Sequence, residues 1–373
     1  MTKVGNEVLQ QLTADLEKGP FVTIMLNTHV AHQDVEKDQI KFKNFAKEAK
    51  KRFEKKYPEK EWKKIQDKID VLLADASFWR SGTKSVAVFL TPEETLVHRL
   101  NIAVDDQYYV GDLPYLLALI KNGQFNYTYY LLALNRDSMK LYFVDNKEIS
   151  EVALPDDAPI DVKTALGDEL TGGNLNYSSQ GSQTGSKEGI AYHGVNAKDE
   201  EVEIDWVNYY QAVDTFFKDT FNNAENYPLY LYALPENQTM FKKYAKTPYY
   251  RSDAAISGSP AQLDIKKIQA DLAEITTTLS QAEIGSYQKL LDKKFVDQLP
   301  DIALAAKEGR ISHLFIATSN LVDGFGEDPD TEYDRRQVLN NLAADVVKNS
   351  GKVFVLEQKD APDEKSLVAI LRY

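Results

Sequence analysis

The chain has 373 residues, of which 43% are hydrophobic and 27% charged, and this composition is typical of a folded protein of two or three domains. Its formal net charge of −13 argues against non-specific coating of nucleic acid, because phosphate binding needs clustered lysine and arginine. The absence of cysteine excludes disulfides, thiolate zinc sites and cysteine nucleophiles. The polar first residues and the short apolar runs favour neither a signal peptide nor a membrane span, so we expect a cytoplasmic protein.

Residues 1–122 are predicted to form a divergent N-terminal α/β domain. A short helix over 8–16 ends at Gly19-Pro20, and a buried strand follows over 21–26. Residues 34–79 predict two helices that separate near Tyr57-Pro58, because a residue before proline avoids the α conformation. Two further runs, 85–90 and 95–102, predict a hairpin.

Residues 123–250 are predicted to form a second, mixed α/β domain. Its predicted strands are 127–134, 140–144, 149–154 and 229–234, and its predicted helices are 205–221 and 237–245. Between them, residues 171–199 lack hydrophobic periodicity and are rich in Gly, Ser, Asn and Gln. A loop of this length is either functional or a plain insertion, and the sequence leaves both interpretations open.

Residues 251–373 are predicted to form a third domain, an α/β sandwich. Helices over 260–281 and 287–307 are followed by Gly309, a residue that favours the end of a helix. The remaining predicted elements are a strand at 312–318, an acidic loop at 323–330, a helix at 332–348, and strands at 352–357 and 367–371.

This last third of the chain resembles a known family. The residues that carry the resemblance are the run 306–317, Gly324-Phe325-Gly326, the run 351–356, and the closing run 368–373. They are similar to the C-terminal domain of the archaeo-eukaryotic peptide-chain release factors and Pelota, and most of all to the bacterial release-factor-like paralogues. The resemblance implies an RNase H-like central domain, a release-factor-like C-terminal domain, and a function at the ribosome.

In true release factors the central domain carries a Gly-Gly-Gln loop that enters the peptidyl-transferase centre, and two glycines allow its unusual backbone path. The matching segment here contains a degraded version, whose candidate residues are Gly172, Gly173, Asn174, Gln180, Gln183 and His193. Asn174 is one methylene shorter than glutamine. The resemblance therefore implies a factor without an intact peptide-release motif, and we lean against an enzyme.

Residues 34–68 hold thirteen basic and eight acidic residues, a local charge of +5 in a chain of −13. Such a helix presents either a basic face to ribosomal RNA or a solvated face laced with i,i+4 pairs such as Glu48–Arg52. The candidate RNA-contact residues are Lys47, Lys50, Lys51, Lys55 and Lys56.

Two other patterns have a simpler and a more functional interpretation. The acidic residues Asp323, Glu327, Asp328, Asp330, Glu332 and Asp334 either hold a divalent cation or cap the following helix, and capping is favoured because Arg335 and Arg336 come next. Tyrosine pairs such as Tyr108-Tyr109 either stack on bases or pack in the core, and core packing is the simpler interpretation.

Three functions are thus weighed. The leading hypothesis is a ribosome- or translation-associated binding protein, acting in ribosome rescue or stress control, whose C-terminal domain docks a protein partner. The second is a magnesium-dependent nuclease or hydrolase, for which Asp137, Asp145 and Asp168 are the candidate carboxylates. The third is a self-associating interaction protein, suggested by the 21 tyrosines. No cofactor or metal is expected, and the oligomeric state stays open.

Overall fold

A computed structural model of the chain describes residues 19–29, 32–80, 82–100, 102–145, 147–167, 194–261, 264–318 and 329–373. The chain divides into two compact units. One unit is built from both ends of the chain, Met1–Phe125 and Ala282–Tyr373, and the other is Asn126–Gln281. No helix in the described ranges is long and apolar enough to cross a bilayer.

The described strands follow one another along the chain as β1 Phe21–Asn27, β2 Ser85–Leu90, β3 Thr95–Leu100, β4 Gln107–Gly111, β5 Tyr129–Leu134, β6 Met139–Asp145, β7 Glu148–Glu151, β8 Leu229–Ala233, β9 Tyr250–Ser257, β10 Phe295–Val296, β11 Ile311–Ala317, β12 Lys352–Leu356 and β13 Leu367–Leu371. The described α-helices are α1 His32–Lys56, α2 Lys63–Ala74, α3 Ala76–Trp79, α4 Leu117–Gly123, α5 Val162–Leu166, α6 Gly194–Thr215, α7 Pro235–Tyr244, α8 Ile265–Asp271, α9 Ala273–Gln288, α10 Leu299–Lys307 and α11 Pro329–Lys348. The mixed α/β, multi-domain fold predicted from the sequence is confirmed.

The first sheet of the two-ended unit is antiparallel, with strand order β3-β2-β1-β4. Both faces of β1 are buried, because alternate side chains of a strand point to opposite faces and both faces are covered. Val22, Ile24 and Leu26 pack with the apolar side chains of α1 and α2. Met25, on the other face, joins a core cluster that extends to the last strand of the chain.

The second sheet of this unit has the order β10-β13-β11-β12, with β11 and β12 parallel and β13 antiparallel to β11. Gly309 closes α10 in the left-handed region, at φ +67°, as the predicted helix end requires. The predicted single helix over 287–307 is wrong. The segment contains a 3-10 turn and the short strand β10 before α10 begins at Leu299.

Side chains form hydrogen bonds with the backbone of an edge strand in each of the two sheets, β4 and β12. The Tyr333 hydroxyl donates to the carbonyl of Val110 and accepts its N–H, each at 2.7 Å. The Gln124 amide makes the same pair of bonds with Val355, at 2.6 and 2.9 Å. Asn340, fully buried, accepts the N–H of Leu116 and donates to the carbonyl of Pro114, both at 2.8 Å. These contacts tie the two ends of the chain into one unit.

The unit Asn126–Gln281 holds a five-stranded mixed sheet of order β7-β6-β5-β8-β9. β5, β6 and β7 form an antiparallel meander, while β8 and β9 run parallel to β5. Counted within the unit, the strand order is 3-2-1-4-5, the RNase H-like arrangement that the resemblance implied. Strand β9 lies beyond the predicted boundary at residue 250, so this sheet extends past it. The division at 122 and 250 into three domains stays a prediction.

Candidate nucleic-acid interface

Helix α1 has an apolar stripe and a lysine-rich stripe on different faces. Phe42, Ala46, Ala49 and Phe53 recur at helical spacing and are buried against the first sheet. The five candidate lysines, Lys47, Lys50, Lys51, Lys55 and Lys56, are all exposed. The same periodicity that buries the aromatic residues therefore places the lysines toward solvent.

Lys56 differs from the other four because it belongs to a contact within the unit. Its ammonium lies 3.4 Å from Asp112. The Tyr57 hydroxyl also donates to Asp112, and burial together with this carboxylate raises the pKa of Tyr57, so the hydroxyl stays protonated. Lys56 and Tyr57 therefore anchor the end of α1 at the end of β4, which makes Lys56 a structural residue.

The four remaining lysines define the surface called here the α1 lysine row: Lys47, Lys50, Lys51 and Lys55. Lys51 is 2.7 Å from Glu48 and Lys50 is 3.7 Å from Glu54, both exposed pairs within the helix. Such pairs contribute about 0–1 kcal/mol and exchange readily with other anions. Lys47 and Lys55 make no ion pair with any residue that the structure describes.

The row is a regular array. Lys47, Lys51 and Lys55 follow one another at intervals of four residues, so with a rise of about 1.5 Å per residue they span about 12 Å along the helix. Over α1 as a whole, nine basic residues oppose five acidic ones, a balance of +4. The row is therefore a locally cationic surface in a chain of net charge −13.

The predicted Glu48–Arg52 pair is wrong. The Arg52 guanidinium donates to Asp330 at 2.7 Å and to the Tyr108 hydroxyl at 3.1 Å, and it lies 3.9 Å over the ring of Tyr333. Asp330 lies in the first turn of α11, so this arginine joins α1 to the C-terminal half of the unit. Arg52 therefore fixes α1 within the unit and is not part of the α1 lysine row.

The degraded release-loop candidates, Gly172, Gly173, Asn174, Gln180, Gln183 and His193, lie outside the described residues. Helix α6 starts at Gly194, so the predicted loop over 171–199 ends earlier than expected. Gly173 precedes Gly194, the start of the helix, by 21 residues. In the family the glycine pair stands just ahead of the helix, and this spacing departs from that pattern.

Of the acidic residues weighed as a cation site, Asp323, Glu327 and Asp328 lie outside the described residues. Asp330 binds Arg52, and the buried Glu332 lies 3.8 Å from Arg336 and 3.9 Å from Arg335. Within the described ranges no group of three or more metal-ligating side chains occurs. The two acids that are paired with arginine thus stabilise the start of α11, as the capping interpretation predicts.

The nuclease hypothesis needs Asp137, Asp145 and Asp168 to converge, and two of them do not. Asp137 lies in the turn before β6, where it accepts a hydrogen bond from Ser138. Asp145 is the last residue of β6 and accepts one from Thr128 at 2.7 Å. A strand of this length separates them by about 20 Å, so they cannot share a magnesium ion. Asp168 lies outside the described residues.

Most of the paired tyrosines are core residues. Tyr109, Tyr129, Tyr209 and Tyr210 are buried, and burial raises the pKa of each hydroxyl. Tyr108, partly buried, binds Arg52. The packing interpretation of these aromatic residues is the one that the structure supports.

Residues 127–278 match the family model "Bacterial archaeo-eukaryotic release factor family 6". This range coincides closely with the compact unit Asn126–Gln281. The match therefore falls on the central, RNase H-like part of the chain, where the resemblance rested on topology. The C-terminal runs that first suggested the family lie outside the matched range. A comparison with curated proteins found no match.

Solved structures of translation factors also match, at low similarity. Pelota of Archaeoglobus fulgidus is 12% identical over 77% of this chain and 79% of its own, with a TM-score of 0.35. A ribosome-bound archaeal Pelota is 10% identical over 75% and 72%, with a TM-score of 0.37. A translation termination-like factor of S. cerevisiae is 14% identical over 78% and 79%, with a TM-score of 0.33. Because these TM-scores are all below 0.5, the resemblance to a family rests on the match to the family model.

The resemblance predicted from the sequence is thus confirmed over residues 127–278, which match the bacterial archaeo-eukaryotic release factor family.

Proposed function

We propose that this chain is a translation-associated binding factor that contacts ribosomal RNA through the α1 lysine row. The observation that carries the proposal is the row itself, four exposed lysines on a helix that Arg52 and Lys56 hold in place. Phosphates are the abundant anions of the ribosome surface, and lysines on one helix face bind them without sequence specificity. A role in ribosome rescue or stress control is the finer form of the same proposal.

The match of residues 127–278 to the release-factor family model supports the proposal. Peptide release is not proposed, because the matching segment holds Gly172-Gly173-Asn174 in place of Gly-Gly-Gln. A nuclease that uses Asp137 and Asp145 together is not proposed either, because these acids lie at opposite ends of β6. The segment 171–199 as a second ribosome contact, and a protein partner for the C-terminal part, remain parts of the proposal.

The test is sucrose-gradient co-sedimentation of the tagged protein with ribosomes at low and moderate salt. The test variant carries Lys47→Gln, Lys50→Gln, Lys51→Gln and Lys55→Gln. A control variant carries four exposed lysine-to-glutamine changes elsewhere: Lys242→Gln, Lys243→Gln, Lys307→Gln and Lys348→Gln. Both variants have a net charge of −13 − 4 = −17, so they differ only in where the positive charge is removed.

We expect the wild type and the control to co-migrate with ribosomes and the test variant to leave them as salt rises. The salt slope is the change in the logarithm of the binding constant with the logarithm of the salt concentration. Each phosphate that the row no longer neutralises lowers the magnitude of this slope by about 0.7 to 0.9. If the two variants sediment alike, the α1 lysine row does not contribute to ribosome binding. If the wild type stays at the top of the gradient, the protein does not bind ribosomes. A deletion of 171–199 tests the second contact in the same gradient, and light scattering of the same samples reports self-association.

A further inference from the structure

A second surface with basic and aromatic side chains lies at the exposed margin of the aromatic cluster on β11 and β12. The rings of His313, Phe315 and Phe354 are nearly parallel, with interplanar angles of 8° to 17°. Phe315 is fully buried, and Tyr287 packs on Phe315 and Phe354 at 5.0 and 4.8 Å. His313 and Phe354 are only half-buried, so packing holds their rings in place while part of each ring faces solvent.

Two exposed lysines flank the imidazole. Lys352 is the register partner of His313 across the parallel pair of β11 and β12, and Lys293 follows the 3-10 turn that precedes β10. Burial, and then the charges of Lys352 and Lys293, lower the pKa of His313. The imidazole is therefore neutral at pH 7. The sequence neighbour of Lys293, Asp292, is the exposed acid of this turn.

Hydrogen bonds determine which imidazole nitrogen carries the proton. The Ser312 hydroxyl donates to the carbonyl of Ile370 at 3.0 Å, so toward His313 it can only accept. The Nδ1 atom of His313 lies 3.1 Å from that hydroxyl and must be the N–H donor. The Nε2 atom is left as an acceptor, and no residue in the described ranges bonds to it. A bulge between Ile311 and His313 presents these neighbouring side chains together.

We propose that the His313 surface, made of Lys293, Ser312, His313, Lys352 and Phe354, binds single-stranded RNA. The two ammonium groups bind phosphates, and the half-exposed rings provide a face on which a base stacks. Nε2, fixed as an acceptor, takes the hydrogen of a ribose 2′-hydroxyl. DNA lacks this hydroxyl, so the geometry predicts a preference for RNA.

This inference shares with the proposed function the premise that the chain meets RNA, but it rests on a different sheet and on different residues. Anion binding by the α1 lysine row does not distinguish RNA from DNA, because the row offers only ammonium groups. A preference for RNA over DNA therefore tests the His313 surface and not the α1 lysine row.

The experiment measures fluorescence anisotropy of the full chain with a labelled single-stranded RNA 12-mer and a DNA 12-mer of matching sequence, over a range of salt. His313→Asn keeps a donor at the position of Nδ1 and removes the acceptor at Nε2. His313→Gln places an amide oxygen near the position of Nε2. A double variant, Lys293→Gln with Lys352→Gln, removes the flanking charges, and thermal unfolding shows that each variant is folded.

We expect the wild type to bind RNA about three- to tenfold more tightly than DNA, the value of one hydrogen bond. His313→Asn should abolish this preference, His313→Gln should keep most of it, and the double lysine variant should lower the salt slope by about 1.4. The proposal is overturned if the wild type binds the two strands equally or not at all, or if the asparagine and glutamine variants behave alike. Loss of binding in the α1 variant alone would keep the proposed function and refute this surface.

Discussion

Replacement of Asn340 by alanine is expected to destabilise the two-ended unit strongly. The Asn340 side chain is fully buried on α11, and its amide bonds two backbone groups of the segment that leads into α4. Alanine removes both bonds and leaves the N–H of Leu116 and the carbonyl of Pro114 without their partner. Each buried group left without a partner costs about 1–3 kcal/mol, so we expect a decrease of about 2–6 kcal/mol in the free energy of unfolding.

The sequence offers a matched control next to this residue, because Asn341 is exposed on the same helix. Asn341→Ala should change stability by less than about 0.7 kcal/mol, and in the stabilising direction, since alanine has the higher helix propensity. Urea unfolding followed by tryptophan fluorescence compares the two variants. Trp62 and Trp79 report on the two-ended unit, and Trp206 reports on the other unit.

Hydrogen exchange adds a local measurement. The amide of Leu116 should lose protection in Asn340→Ala while the amides of β5 and β8, in the other unit, keep theirs. If the two alanine variants unfold at the same urea concentration, the Asn340 amide does not join the two ends of the chain.

Three further predictions concern stability. Burial lowers the pKa of His98 below its ordinary 6.5, so the unfolded state binds a proton more readily than the folded state does. The contribution to stability is therefore full above pH 6.5 and declines as the pH falls. Unfolding measured over a range of pH should show a smaller decline for His98→Gln. Gly351→Ala would place a Cβ 2.5 Å from Val346 and 2.9 Å from the carbonyl of Ile311 and should lower the melting temperature, whereas Gly285→Ala, with open space on α9, should gain about 0.5–1 kcal/mol. Glu332→Leu removes the carboxylate that faces the buried Arg336, and urea unfolding should show a decrease in stability of about 3 kcal/mol or more.

Local patterns predicted most of the described elements. The break near Tyr57-Pro58, the helix end at Gly309 and the hairpin of β2 and β3 all follow from short-range rules of backbone conformation. The pattern rules missed the five-residue β4, the eight-residue β9 and the two-residue β10. Pairing with another strand specifies them: β4 pairs with β1, which lies about 80 residues earlier, and β9 pairs with β8 across the intervening helix α7.

The sequence predicted which residues form the candidate site, but it did not predict which residues they contact. The sequence by itself placed the lysines on one helix, because the apolar stripe of α1 determines which side faces solvent. It assigned Arg52 to Glu48 by spacing alone, and it could not show that Lys56 is held by Asp112. Nor did it indicate the His313 surface, where Lys352 and Lys293 come from separate segments. Helix propensity and periodicity act between near neighbours, whereas ion pairs and aromatic contacts form between segments that only the tertiary structure brings together.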